Sequence, residues 1–161
     1  MDDHSETPSL REVMRVYPTG VTVVAGLDAG GSPFGLTVNS FTSVSLDPPL
    51  VLVCVGRRST WHDRLTSAAS FTINVLSADQ EAIAIRFARE PSEGRFDEVE
   101  WRPAQSGDPI LRGSLAWLEC STTEVLSGGD HSILVGRVER CAVNDRAALL
   151  FHRGGMSSVE E

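Results

Sequence analysis

A chain of 161 residues is long enough to bury one sizeable core and too short for two independently stable α/β domains. Its 41% hydrophobic and 22% charged residues exclude the composition of a disordered protein. With 14 Lys and Arg against 22 Asp and Glu, the formal charge of −8 argues against nucleic acid and anionic membranes as partners.

The opening MDDHSETPSL is acidic and polar, unlike a secretory signal, and no apolar run is long enough to span a bilayer. A cytoplasmic protein with residues 1–8 as a disordered tail is expected. Ser9 and Glu12 form a capping-box pair ahead of Leu10, Val13, Met14 and Tyr17 at helical spacing, which predicts a short helix ending before Pro18. GVTVVAGL then reads as a strand, LDAGGSPFG as a turn and LTVNSFTSVSL as extended chain, together a hairpin running onward. Asp47, Pro48 and Pro49 interrupt it, and LVLVCVG follows as an apolar strand expected to be central and covered on both faces.

Thr60 and Asp63 suggest a second capping box before a short helix in TWHDRLTSA, followed by the strand FTINVL. QEAIAIRFA predicts a helix with Ala82, Ile83, Ile85 and Phe87 on its apolar side, and REPSEGRFDEVEWRPAQSGDP a long loop. SLAWLECSTTEVL and HSILVGRVERCAV flank the turn SGGD as a hairpin, and ALLFHRGG is a last short strand. Cys54, Cys120 and Cys141 form no C-x-x-C pair and read as buried thiols in a reducing compartment. About seven strands with few helices predict a mainly β fold, a closed or split antiparallel barrel.

Three stretches could carry chemistry. GLTVNSFTSVSL concentrates Thr37, Asn39, Ser40, Thr42, Ser43 and Ser45, short hydrogen-bonding groups suited to an uncharged planar heterocycle and a polyol chain, or equally to a solvated sheet face. GRRST sets Arg57, Arg58 and Ser59 between a strand end and a helix start, a seat for phosphate or a plain polar turn capped by Thr60. In GGDH, Gly128 and Gly129 suit a tight turn, while His131 is placed to hydrogen-bond or stack against a dinucleotide. His62, His131 and His152 match no zinc or iron spacing, so no metal site is expected. Without G-x-S-x-G a serine nucleophile is disfavoured, and without G-x-G-x-x-G a nicotinamide cofactor would arrive as a transient substrate.

Taken in order, YPTGVTVV, GLTVNSFTSVSLDPPLVLVCV, RRST, FTINVL, RFA, GRF, LECSTTEVLSGGDHSILVGRV and LLFHRGG resemble the flavin reductase family from about Leu10 to Gly155. These are small NAD(P)H:flavin oxidoreductases, the reductase components of two-component flavin-dependent monooxygenases. The resemblance implies a split-barrel, Greek-key, FMN-binding fold over residues 9–156, with 157–161 as a tail, in a homodimer holding FMN or FAD near its interface. By matching position it assigns Thr37, Val38, Asn39 and Ser40 to the flavin ring and ribityl chain, with Ser43 and Ser45 close by. Cys54, Val55, Gly56, Arg58, Ser59 and Thr60 would follow the ribityl phosphate, and Phe87, Arg95 and Phe96 would border the pocket. His131 would face the nicotinamide of NADH or NADPH, with His152 and Arg153 where the last strand nears the cofactor. Met156 stands where relatives often carry an aromatic residue. The implied reaction is hydride transfer to flavin for a partner monooxygenase. The alternatives are a non-catalytic module binding flavin or haem, and an FMN enzyme resembling pyridoxamine-phosphate oxidase.

Overall fold

The computed structural model describes residues 7–89 and 94–159. Most of the expected amino-terminal tail, and residues 160–161 of the carboxy-terminal one, lie outside them. Strands dominate: β1 (Thr19–Gly20), β2 (Thr22–Leu27), β3 (Pro33–Val38), β4 (Thr42–Leu46), β5 (Pro49–Gly56), β6 (Ser70–Val75), β7 (Trp101–Pro103), β8 (Pro109–Leu111), β9 (Ala116–Gly128), β10 (His131–Val143), β11 (Leu149–His152) and β12 (Gly155–Ser158). The helices are α1 (Leu10–Arg15), α2 (His62–Ser67) and α3 (Glu81–Ala88), the last entered through a 3-10 turn at Ala78–Gln80. The fold is mainly β, as expected, but with twelve strands among the described residues, because β1, β7, β8 and β12 are too short to show as alternation in the sequence and the stretch LTVNSFTSVSL divides between β3 and β4.

Seven strands form one antiparallel sheet in the order β3-β2-β6-β9-β10-β5-β4. Its two edge strands, β3 and β4, are separated in the chain only by Asn39, Ser40 and Phe41. That linker spans roughly 14 Å at full stretch, so the sheet must curl until its edges nearly meet. The result is a barrel wall with a seam between β3 and β4. A three-stranded sheet, β1-β11-β12, and the β7-β8 hairpin complete the molecule.

The curled sheet encloses a core of Val24, Phe34, Val53, Val55, Trp61, Leu65, Phe71, Ile73, Cys120 and Leu134. A second core packs Val21, Val23, Leu76, Ala84, Phe87, Leu111 and Leu149 under α3. Where β10 passes Phe71 and Cys120 its residue is Gly136, and an ideal Cβ there would stand 2.5 Å from the Phe71 ring and 3.0 Å from Cys120 Cβ. The β9–β10 turn is tight, with Gly129 at φ +67°, the left-handed region that glycine enters without strain.

The Ser9–Glu12 capping box is present, Ser9 N–H donating to the Glu12 carboxylate at 2.7 Å, yet no residue of α1 is buried. Leu10, Met14 and Tyr17, the apolar positions at helical spacing, are 76%, 51% and 62% exposed. The second capping box does not form: Trp61 is the N-cap of α2 without a side-chain cap, and Asp63 pairs instead with His62. β5 is not central but lies next to edge strand β4, and its burial alternates rather than covering both faces. Along α3 the buried residues are Ala84 and Phe87; Ala82 points to solvent, while Ile83 and Ile85 are half-buried. The expected long loop contains the β7–β8 hairpin, while its residues 90–93 lie outside those described. No helix among the described residues is long and apolar enough to cross a membrane.

The three thiols are free, but only Cys120 is buried; Cys54 is half-buried and Cys141, near the end of the long β10, is exposed. Burial pushes the Cys120 thiol up to about 12, helped by the nearby carboxylates of Glu139 and Glu119. Cys120 should therefore stay unlabelled by a thiol reagent at pH 8 while Cys141 reacts, and should label only on unfolding, as mass spectrometry of the timed reaction would show. Because its folded-state pKa is raised, its stabilising contribution holds below the ordinary thiol value and is lost as pH climbs toward 12.

Candidate active site

The seam opens into a cleft of about 680 Å³ lined by Met14, Tyr17, Thr19, Asn39, Ser40 and Thr42. Its size suits a small-molecule cofactor, and its polar groups converge from the seam linker while α1 and β1 form the far wall. Ser40 explains how that linker is held. Its hydroxyl accepts from the Cys54 N–H and donates to the Cys54 carbonyl, both at 2.9 Å, standing in for the ladder bonds that β4 does not reach. Ser40→Ala would leave two backbone groups of β5 without partners, and urea denaturation should show a loss of about 1–3 kcal/mol.

Thr37 also works structurally, its hydroxyl donating to the Ala84 carbonyl of α3 at 2.7 Å. Together with Val38 and Asn39 it lines a smaller pocket of about 210 Å³ against Phe151 and Met156. Asn39, exposed, is common to both cavities. Ser43 and Ser45 lie further along β4, on either side of a bulge, and do not line the cleft.

The GRRST loop and the GGDH turn come together. Gly56 pairs with His131 at the end of the β5–β10 ladder, and Arg57 N–H donates to the Asp130 carbonyl at 2.9 Å. Arg57 then reaches back, Nε to the Gly129 carbonyl at 3.1 Å and Nη2 to Ser127 Oγ at 2.9 Å. Of the two arginines, Arg57 is thus committed to the hairpin. Arg58 is exposed, without an ion-pair partner among the described residues, and lies within electrostatic reach of Asp130. Ser59 Oγ accepts from Trp61 N–H, and Thr60 is exposed.

His131 Nδ1 lies 2.7 Å from Asp130 Oδ1, and this hydrogen bond holds the Asp130 carboxyl below the usual carboxylate range. Since a carboxylate only accepts, Nδ1 carries the proton and Nε2 is left on the Gly56 side, where a Cβ on Gly56 would sit 3.7 Å from it. The half-exposed imidazole therefore stands over the loop that carries Arg58.

Phe87, Arg95 and Phe96 do not line the seam cleft; Arg95 and Phe96 border a separate cavity of about 240 Å³ with Phe34, Gly35 and Trp61. Phe87 and Phe96 meet edge to face at 4.9 Å in the second core. Arg95, 5% exposed, donates to the carbonyls of Gly35 at 3.0 Å and Phe87 at 2.8 Å, and to that of Arg89, so its guanidinium ties β3 to the end of α3. His152 ends β11 exposed, and Arg153, with φ +52°, docks its N–H on the Arg15 carbonyl at 2.8 Å. Val55 is a core residue, while Cys54 joins the two halves of the site through Ser40. The sequence placed Arg57 in a phosphate seat and not as a tie, and Met14 and Tyr17 on a helix and not as cleft walls, while Phe41, a third cleft wall, was not singled out. Leu10, Val13 and Met14 on a capped helix, with Tyr17 just beyond it, were the available signal for the α1 wall.

The residues present fit a flavin phosphate better than a bare turn would: an uncommitted Arg58, a glycine without a Cβ at the strand end and, two residues before that glycine, Cys54 hydrogen-bonded to Ser40, a residue of the mixed polar and apolar cleft. Comparison with known proteins agrees. A model described as the flavin reductase like domain matches residues 14–160. The chain is 47% identical over 147 residues to a "Probable flavin reductase" of Rhizobium meliloti, covering 91% of this chain and 47% of that one. It is 46% identical to the stachydrine N-demethylase reductase subunit Stc3 of the same organism, covering 91% and 64%. The chain thus spans about half to two thirds of the length of these curated relatives. Among solved structures, the Streptomyces globisporus NADH:FAD oxidoreductase SgcE6, in complex with NAD and FAD fragments, superposes with a TM-score of 0.89 at 41% identity, covering 99% of this chain and 96% of that one. The chain belongs to the flavin reductase-like domain family.

Proposed function

We propose that residues 9–156 act as one domain that reduces FMN or FAD with NADH or NADPH. The observation that carries this reading is the junction of the GRRST loop with the GGDH turn at the end of β5, the strand whose Cys54 is hydrogen-bonded to Ser40 of the seam cleft. Bound flavin would supply the hydride acceptor and reduced nicotinamide the donor, so the chain has only to hold and align two rings. Asn39 presents its side-chain amide to the ring and ribityl side from a linker that Ser40 holds in place, Arg58 holds the phosphate, and His131 orients the nicotinamide through Nε2. No residue is required to form a covalent bond.

Anaerobic addition of each nicotinamide donor to protein with each flavin should bleach the flavin absorbance in at least one pairing. Absence of bleaching in all pairings would favour a non-catalytic flavin module, and oxygen uptake with a phosphorylated pyridoxamine would favour the oxidase reading. His131→Ala should raise KM for the dinucleotide about tenfold with flavin affinity unchanged, the loss of about one net hydrogen bond. The reduced flavin then serves a partner monooxygenase, a reading supported by the name of an Acinetobacter baylyi relative, the reductase component of a flavin-dependent trigonelline monooxygenase. The uncovered apolar face of α1, with Leu46 at 91% and Val143 at 77% exposure, supports a homodimer. Three free thiols support a reducing, cytoplasmic location.

A further inference from the structure

The loop from Arg57 to Thr60 is tied to the β9–β10 hairpin at its upstream end by Arg57 and at its downstream end by a second device. His62, the first residue of α2, has a side chain 14% exposed. Its Nε2 lies 2.8 Å from Ser132 Oγ and its Nδ1 2.8 Å from Asp63 Oδ1. Ser132 is 4% exposed on β10, between His131 and the core and opposite Val55 of β5.

The Asp63 carboxylate can only accept, so it keeps a proton on Nδ1 and turns Nε2 toward the Ser132 hydroxyl. Asp, His and Ser in this order reproduce the connectivity of a hydrolytic triad. Here, however, the serine is closed off within the sheet and lines none of the larger cavities, so an acyl donor cannot reach Oγ. The array holds instead of attacking. Without His62 a buried hydroxyl loses its hydrogen-bond partner, and the downstream end of the loop keeps its Trp61 in the core but loses its tie to the hairpin strand β10.

We infer that Asp63, His62 and Ser132 are positioning residues that pre-set Arg58, Ser59 and Thr60 for the phosphate of the flavin. This rests on the phosphate seat proposed above. A loop pinned at both ends pays less ordering cost when the ligand binds, so the gain appears in affinity for phosphorylated flavin and not in contacts with the ring.

The test is fluorescence titration of riboflavin and FMN into the wild-type protein and the variants His62→Ala, His62→Gln, Ser132→Ala and the double variant His62→Ala/Ser132→Ala. Wild type should bind FMN more tightly than riboflavin; equal binding would overturn the phosphate seat itself. Given that preference, His62→Ala and Ser132→Ala should each weaken FMN about tenfold, the effect of roughly one lost hydrogen bond, with riboflavin within about twofold. The double variant should be no weaker than either single one, and His62→Gln, whose amide can still reach Ser132, should recover most of the loss. Unchanged FMN affinity in the single variants, or parallel loss for riboflavin, would overturn the inference while leaving the seat intact. If His62→Ala fails to fold, Ser132→Ala and His62→Gln decide between the same outcomes.

Discussion

Gly136→Val is expected to lower the stability of the fold by about 3–5 kcal/mol, the largest effect of any single substitution considered. A Cβ at this position would stand 2.5 Å from the Phe71 ring, which is fully buried, and 3.0 Å from Cys120 Cβ, so neither neighbour can withdraw toward solvent. Valine adds two further methyl groups to that collision. The long β10 must also keep pairing β9 and β5 on its two sides, so moving its backbone away would strain both ladders at once. Urea denaturation should show a lower midpoint with little change in slope. Gly20→Ala, where an added Cβ meets nothing within 4 Å, should be close to neutral and serves as the control.

Arg58→Ala is expected to weaken FMN binding by about 10- to 100-fold while leaving riboflavin affinity and thermal stability near wild type. The guanidinium is exposed and bears no structural hydrogen bond, so its removal should touch the ligand and not the fold. Arg57→Ala should do the reverse. Its three bonds to Asp130, Gly129 and Ser127 include two from the side chain, whose loss would loosen the hairpin turn and weaken both flavin forms together. A salt titration would separate the two further, since only the phosphate contact of Arg58 depends on an unpaired charge.

These two arginines also show where sequence reading reaches its limit. That GRRST lies between a strand and a helix could be read from the apolar run before it and the polar turn after it. Which guanidinium faces the hairpin depends on the register of β5 against β10, which only the folded sheet sets. The hairpin itself was legible because Gly129 relieves a left-handed turn between two β-branched runs, and α1 was legible from the reciprocal Ser9–Glu12 bonds.

Arg95 was harder to place. It sits in a charged, glycine-bearing stretch that reads as solvated loop, yet it is buried because the carbonyls of Gly35 and Phe87, distant in sequence, offer it partners. Cys141 errs in the other direction: apolar neighbours suggested burial, but β10 runs past the core and carries the thiol into solvent. The polar face of Thr37, Asn39 and Ser40 was visible as a pattern. Its division between structural bonds at Thr37 and Ser40 and open lining at Asn39 was not, because both uses call for the same short polar side chains.

The seam at Asn39–Phe41 gives the wall an uneven mechanical character. Elsewhere each strand of the curled sheet is laced to two neighbours, but β3 and β4 share no ladder among the described residues, and the linker between them is held by the Ser40 hydroxyl on Cys54 of β5. Local opening is cheapest where backbone ladders are fewest, so the protein should breathe at the mouth of its own cleft while the rest of the wall stays shut. Such a distribution lets a bulky planar guest enter and leave without any loosening of the core beneath it.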